Sequence, residues 1–123
     1  GRTIRNSNRK KPGKRVRKGK RAPQEVYKVP LLQSLVELGG SGSPREVEEL
    51  AYPKLEPVLT DYDYTPLASF GDKPRWLHRL GWTRYVLVQA GHLSDESPRG
   101  VWELTPEGRD WLAEQERQTS FEV

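Results

Sequence analysis

Cysteine is absent from this chain of 123 residues. Its absence excludes disulfide bonds, thiol nucleophiles and zinc sites built on cysteine, and it agrees with a reducing cytosol. Long apolar runs are lacking too: no stretch approaches the roughly 20 residues of a membrane-spanning helix, and no signal-peptide hydrophobic region is present. We therefore expect a cytoplasmic protein with no membrane partner.

Aromatic residues are plentiful by comparison, with 4 Trp and 5 Tyr, and 33% of the residues are hydrophobic. These are too many aromatic side chains for a wholly disordered chain, and the length suits one domain with a modest core. The sequence begins with Gly1 rather than Met. We therefore expect a processed or cloned fragment of a longer polypeptide, with further activities lying outside it.

Charge divides the chain into two unequal parts. Residues 1–21 contain eleven Lys or Arg and no acid (+11), whereas the remainder holds ten basic residues against all seventeen Asp and Glu (−7). Residues 1–22 are predicted to form a disordered basic arm that neutralises phosphates with a steep salt dependence and no sequence preference. The residues expected to contact a DNA backbone are Lys10, Lys11, Lys14, Arg15, Arg17, Lys18, Lys20 and Arg21. A solubility or targeting tail, or vector-derived sequence, is the alternative interpretation.

Two helices are predicted after this arm. Apolar residues at helical spacing over 26–38 indicate a first helix that stops at Gly39-Gly40. Ser43-Pro44-Arg45-Glu46 then supplies an N-cap, a proline at the first helical position and a capping-box Glu. The second helix is expected to end near Tyr52-Pro53, because proline disfavours helix in the residue before it. Its expected inward residues are Val47, Leu50 and Ala51.

Residues 53–72 contain Pro53, Pro57, Pro66 and Gly71 and are predicted to form an irregular connector, with one helical turn around 55–59. Two acids two positions apart, Asp61 and Asp63, lie in this Pro-flanked stretch and are expected to be solvated rather than catalytic.

A third helix is predicted over residues 73–90. Its packing face is expected to consist of Trp76, Leu77, Leu80, Leu87 and Ala90. The opposite face carries Arg75, His78, Trp82, Tyr85 and Gln89. Residues 73–94 contain no Asp or Glu, so positive charge is concentrated there although the remainder of the chain is acidic. This face is therefore predicted to contact a partner rather than only solvent.

In a helix-turn-helix protein the later helix enters the major groove, where Arg reads guanine, Gln reads adenine and aromatic faces contact thymine methyl groups. The candidate DNA-contacting residues are Lys73, Arg75, His78, Arg79, Trp82, Arg84, Tyr85, Gln89 and Arg99. Two alternatives stay open at this point: Trp82 and Tyr85 cover a second apolar cluster or a dimer partner, and Arg84 pairs with a carboxylate instead of a phosphate.

A short hairpin and a last helix complete the predicted domain. Leu93 and the segment 101–104 flank a polar turn over 94–100, with Arg99 at the tip of this candidate wing. Thr105-Pro106 starts a last helix that is expected to reach about Arg117. Trp102 and Trp111 are expected to belong to the core. The order predicts an α+β winged helix-turn-helix over residues 23–118, with 119–123 as a tail or linker.

No catalytic constellation is recognisable. His78 and His92 have no partners at metal-ligand spacing, no Gly-rich loop precedes a helix, and no lysine follows Asp95-Glu96 as a nuclease centre requires. We expect no enzyme activity of the domain itself and no cofactor.

A family resemblance is carried by Arg79, Gly81-Trp82, Leu87, Ala90-Gly91 and the run from Arg99 to Gly108, which reads RGVWELTPEG. Over residues 24–117 the chain resembles the N-terminal domain of Mrr-type restriction proteins. The basic arm and the Pro-rich connector depart from that pattern, so the base modification and its sequence context do not carry over from the family.

The resemblance implies a DNA-recognition module of a modification-dependent restriction system, normally joined to a separate nuclease domain and associated with the nucleoid. It also suggests an aromatic pocket for a methylated base that uses Trp82, Tyr85, Tyr64 or Phe70. The expected partner is double-stranded DNA, methylated DNA included, with a homodimer as a further option. The alternatives are a protein-interaction or dimerisation winged helix and the DNA-binding domain of a transcriptional regulator.

Overall fold

The computed structural model describes residues 20–122, and the side chains of residues 20–119. The described helices are α1 (Lys28–Glu37), α2 (Pro44–Leu55), α3 (Asp61–Tyr64), α4 (Arg75–Gln89) and α5 (Pro106–Glu122). The short strands are β1 (Ser41–Gly42), β2 (Pro66–Leu67), β3 (Lys73–Pro74) and β4 (Trp102–Glu103). Single 3₁₀ turns cover Gln24–Tyr27, Glu56–Val58 and Ala68–Phe70. The expected α+β class is confirmed.

Local sequence features explain where α1 ends and where α2 begins. The chain leaves α1 through Gly39 and Gly40, both at positive φ (89° and 113°), which glycine adopts at little cost. Ser43 accepts the backbone N–H of Glu46, whose carboxylate accepts the N–H of Ser43, and Pro44 occupies the first position of α2. The predicted capping box is therefore confirmed.

Helix α2 continues through Pro53, and the predicted end near Tyr52-Pro53 is wrong. A proline inside a helix removes one backbone hydrogen bond and costs about 3 kcal/mol. The following turn offsets this cost because Leu55 is fully buried in the core. Lys54 adds a hydrogen bond from Nζ to the Leu50 carbonyl and an ion pair to Glu37 at 2.9 Å.

The connector is more regular than expected. It contains α3, and it forms an antiparallel strand pair in which Pro66 faces Pro74 and Leu67 faces Lys73. Gly71 and Asp72, at φ 68° and 62°, make the reversal between the two strands. The strand pair delivers the chain to the start of α4.

A second strand pair joins β1 to β4, with Ser41 opposite Glu103 and Gly42 opposite Trp102. On the other side of this segment Leu93 bridges Leu104, and the N–H of Ser94 donates to the Glu103 carbonyl. The predicted pairing around the turn over 94–100 is thus present.

The last helix extends past the predicted end at Arg117 and reaches Glu122. The core lies between α1, α2, α4 and the start of α5, and its largest buried side chains are Trp76 and Tyr27. Trp102 and Trp111 pack against the core from its edge, as expected. Within residues 20–122, no helix combines the length and the apolar character needed to cross a membrane.

Candidate nucleic-acid interface

Helix α4 presents one buried face and one exposed face. Trp76, Leu80 and Leu87 are buried, as predicted, and Leu77 packs against the core from a half-buried position. Ala90 is exposed, so its predicted place in the packing face is wrong, because it follows the last helical turn. Residues 75–89 therefore form a helix whose outer side is available to solvent.

The outer side of α4 carries an aromatic pair. The rings of Trp82 and Tyr85 stack with centroids 4.9 Å apart, and the two residues are 50% and 48% exposed. His78 and Gln89 are also exposed. The surface predicted from the helical periodicity is thus open in the monomer and does not cover a second apolar cluster.

Arg75 and Lys73 lie at the start of α4. The Nε of Arg75 donates to Thr65 Oγ1 at 3.0 Å, and its guanidinium lies 4.8 Å from the centre of the Tyr62 ring. Lys73 is exposed on β3 with Nζ 5.4 Å from the centre of the Phe70 ring. These contacts hold both cations next to the exposed face of the helix.

Arg79 has an intramolecular role that the sequence did not indicate. Its Nε donates to Gln24 Oε1 at 3.2 Å, and its Nη2 lies 3.5 Å from the Ala22 carbonyl oxygen. Its guanidinium also lies 5.6 Å from the centre of the buried Tyr27 ring. The residue joins α4 to the chain segment that precedes α1.

Arg84 is half-buried on the inner side of α4, and its Nε is buried without a hydrogen-bond partner in the described part of the chain. No ion pair involving Arg84 is found among residues 20–119, so the carboxylate partner considered for it is not observed there.

Asp63 is fully buried, and the expectation that it is solvated is wrong. Its carboxylate accepts the backbone N–H of Ala22 at 3.1 and 3.2 Å, and the N–H and hydroxyl of Thr60 at 2.8 and 3.1 Å. These bonds satisfy the charge inside the protein. A Thr followed three positions later by Asp was the available sequence signal, because an acid there reaches back to the N–H at the helix start. Asp61 is exposed.

The segment before α1 is attached to the folded domain at the Asp63 carboxylate, which accepts the N–H of Ala22. Ala22 is only 2% exposed, so it belongs to the folded domain rather than to the predicted arm over 1–22. Gln24 extends this attachment, because its amide also contacts the hydroxyl of Thr83, a buried polar residue of α4 that sequence reasoning missed. Thr83 in turn donates to the Arg79 carbonyl at 2.7 Å.

Most of the predicted arm residues lie outside the described part of the chain; these are Lys10, Lys11, Lys14, Arg15, Arg17 and Lys18. Lys20 and Arg21 are described, and both are exposed. The basic segment is therefore covalently attached beside the start of α4, where Ala22 is held.

Arg99 lies in the loop between the Leu93 bridge and β4. The N–H of Val101 donates to the Pro98 carbonyl at 3.0 Å, and Gly100 has φ 78°, as the third position of a type II turn requires. Arg99 is the second residue of this turn and is exposed. The same loop carries two exposed acids, Asp95 and Glu96.

An open cleft of about 610 Å³ lies between the connector and the first two turns of α4. Its lining includes Arg21, Arg75, His78, Arg79, Tyr62 and Trp82. The aromatic residues Tyr64 and Phe70 do not line it: the Tyr64 hydroxyl bonds that of Tyr52 at 2.8 Å, and Phe70 packs edge-on against His78. Burial and this hydrogen bond raise the pKa of Tyr64 above its usual range.

His92 lies apart from this surface. Its ring stacks on Trp111 at 5.1 Å, and its Nδ1 is buried without a partner in the described part of the chain. Burial, followed by the positive charge of Lys28, lowers the pKa of His92 below 6.5, and Glu107 opposes the shift. Among the described residues, no group of three or more His, Asp or Glu is placed to hold a metal ion.

The known proteins were compared with this chain in three ways. A family model described as the Mrr N-terminal domain matches residues 25–114. Neither the curated proteins nor the solved structures give a match. The matched region contains α1 to α4, the loop with Arg99 and the first half of α5. The chain therefore belongs to the Mrr N-terminal domain family, a family of restriction-system related domains.

Proposed function

We propose that this domain binds double-stranded DNA as the winged-helix recognition module of a restriction system, and that it has no catalytic activity of its own. The observation that carries the proposal is the exposed face of α4. It combines basic and amide groups with the stacked Trp82 and Tyr85, and no acid occurs from residue 73 to residue 94.

The arrangement of elements supports a winged helix-turn-helix. Helices α1, α2 and α4 surround the core, β1 pairs with β4, and Leu93 bridges Leu104 beside them. In this interpretation α4 is the recognition helix, and the loop over 94–101 is the wing. A recognition helix in the major groove presents Gln89, His78 and Arg75 to base edges and phosphates.

The electrostatics favour DNA only locally. Residues 22–123 sum to −7, which repels a polyanion at long range. Lys20 and Arg21, which precede Ala22, and the acid-free stretch around α4 oppose this repulsion at one side of the molecule. Because such attraction acts through phosphates, binding is expected to weaken steeply with salt.

A second candidate is supported by the aromatic pair. Trp82 and Tyr85 are about half exposed, and exposed aromatic residues are enriched at protein interfaces. On this alternative the outer face of α4 binds another protein or a second copy of the chain, and the acidic surface of the body disfavours DNA.

Fluorescence anisotropy of a labelled duplex, titrated with the full chain at several salt concentrations, tests the proposal. Arg75→Gln should weaken binding about three- to tenfold and lower the slope of log K against log salt by about 0.9, the value for one lost phosphate contact. The matched control is Arg45→Gln, which removes an exposed cation at the start of α2. Equal affinities of the Arg75 and Arg45 variants would reject α4 as the DNA-contacting helix.

Two further measurements separate the alternatives. Sedimentation of Tyr85→Ala, alone and with duplex, shows whether the aromatic pair contacts a second copy of the chain or DNA. If the pair forms a dimer interface, the variant should lose the dimer and keep its DNA affinity. Methylated and plain duplexes of one sequence test the recognition of modified DNA. Incubation with plasmid and Mg²⁺ should give no cleavage.

A further inference from the structure

The cleft between the connector and α4 has the composition of a nucleotide site. We propose that it binds a single nucleotide that has left the base stack of the bound DNA, with its phosphate at Arg75 and Arg21 and its base against Trp82. The proposal rests on the proposed function, because duplex binding by α4 would bring DNA to the edge of the cleft.

The first two turns of α4 carry an excess of positive charge at the wrong end of the helix. Arg75 lies in the first turn and Arg79 in the second, the first turn has no acid, and Pro74 offers no capping side chain. A helix N-terminus has a partial positive charge, so cations at this position are unfavourable in the free domain. A bound phosphate reverses the sign of this interaction, because it meets both the helix end and the guanidinium groups.

Arg75 is pre-organised for such a phosphate. Thr65 holds its Nε, and the Tyr62 ring lies against its guanidinium. No ion pair or further hydrogen bond involves its two terminal nitrogens within the described part of the chain. Two parallel N–H donors in a fixed plane suit two oxygens of one phosphate.

Two other charged groups of the cleft wall, Arg79 and Asp63, already have hydrogen-bond partners within the domain. Arg79 is held by Gln24 and the Ala22 carbonyl, so it contributes fixed positive charge rather than a mobile contact. Among the described residues, Asp63 is the only acid that lines the cleft, and its carboxylate accepts hydrogen bonds from Ala22 and Thr60. Three guanidinium groups therefore face one saturated carboxylate, and the cleft attracts an anion.

Trp82 and the size of the cleft favour a nucleotide over a phosphate alone as the ligand. Tyr85 stacks on Trp82 from one turn further along α4, whereas the cleft lies toward the start of the helix. The volume of about 610 Å³ falls within the range of small-molecule sites. A base stacked in a duplex has both faces covered, so only an unstacked base can lie against Trp82.

A titration of the full chain with mononucleotide tests the cleft without a duplex. Deoxyadenosine 5′-monophosphate should shift the NMR signals of the Arg75 Nε–H and the Trp82 indole N–H. Deoxyadenosine alone and inorganic phosphate alone should bind at least tenfold more weakly. Equal binding of phosphate and nucleotide would overturn the role of Trp82, and no shift at either signal would overturn the site.

Ser69→Phe fills the cleft from its lining without changing a cation, and the neighbouring exposed Ala68, which does not line the cleft, gives the matched control Ala68→Phe. Ser69→Phe should abolish the nucleotide shifts and Ala68→Phe should retain them. Unchanged titration of the Ser69 variant would reject the proposed position of the ligand.

Duplex DNA then separates this inference from the proposed function. The wild-type chain should bind a duplex with one adenine opposite an abasic site at least fivefold more tightly than the fully paired duplex, and Ser69→Phe should erase only this preference. Equal wild-type affinities for the two duplexes would refute the extrahelical nucleotide while DNA binding stands. Absence of binding to both duplexes would refute the proposed function, and the mononucleotide titration would still decide whether the cleft is a site.

Discussion

Replacing Gly108 by alanine tests how α5 is joined to the base of the loop over 94–101. Gly108 lies in the first turn of α5, where its N–H donates to Thr105 Oγ1 at 2.9 Å. An added Cβ would overlap the carbonyl oxygen of His92 and lie 2.9 Å from Leu104 Cδ1. The His92 carbonyl cannot withdraw freely, because it accepts the Thr105 N–H, and the His92 N–H donates to the Leu87 carbonyl at 2.9 Å.

The expected magnitude follows from these contacts. Alanine favours a helix over glycine by about 1 kcal/mol, but overpacking against backbone costs about 1–3 kcal/mol and the loosened Thr105 bond about 1 more. We expect Gly108→Ala to lower the free energy of unfolding by about 2 kcal/mol, which is about 1 M in urea midpoint. Urea titration followed by tryptophan fluorescence measures it.

The control is a second helical glycine without neighbours. A Cβ at Gly81 meets nothing within 4 Å, so Gly81→Ala should raise stability by about 0.5–1 kcal/mol. If Gly108→Ala were as stable as the parent chain, the close approach of α5 to the His92 carbonyl would be incorrect.

Three further predictions concern Asp63, His92 and Arg99. Asp63→Asn places an amide where several N–H groups donate and should lower the free energy of unfolding by about 2–4 kcal/mol. Asp72→Asn, on the exposed turn, should change it by less than about 0.5 kcal/mol. Similar urea midpoints of the two variants would contradict the role of Asp63 in holding Ala22 and Thr60. Because burial lowers the pKa of His92, the unfolded chain binds a proton that the folded chain does not, so stability should fall as the pH drops below 6.5. His92→Gln should flatten this dependence, and an NMR titration giving a His92 pKa at or above 6.5 would refute it. Arg99→Ala should weaken duplex binding less than Arg75→Gln, because the acids Asp95 and Glu96 in the same loop disfavour a phosphate there. If anisotropy gave the reverse order, the loop rather than α4 would be the main DNA contact.

Features that depend on neighbouring residues were predictable from the sequence. The start of α2 follows from the Ser43 capping box, and the end of α1 follows from the glycine pair at 39–40. The exposed face of α4 follows from helical periodicity, which places Trp82 and Tyr85 opposite the residues that fill the core. Membership of the family was also recognisable, because its short motifs lie in continuous stretches of the chain.

Contacts between distant residues were decided only by the tertiary structure. Arg79 and Asp63 carry no local sign that they hold the segment around Ala22, which is 57 and 41 positions away. Helix α2 continues through Pro53 because burial of Leu55 outweighs a local penalty. The cleft exists because the connector packs beside the start of α4, and burial and long-range hydrogen bonds are properties of that packing rather than of any one segment.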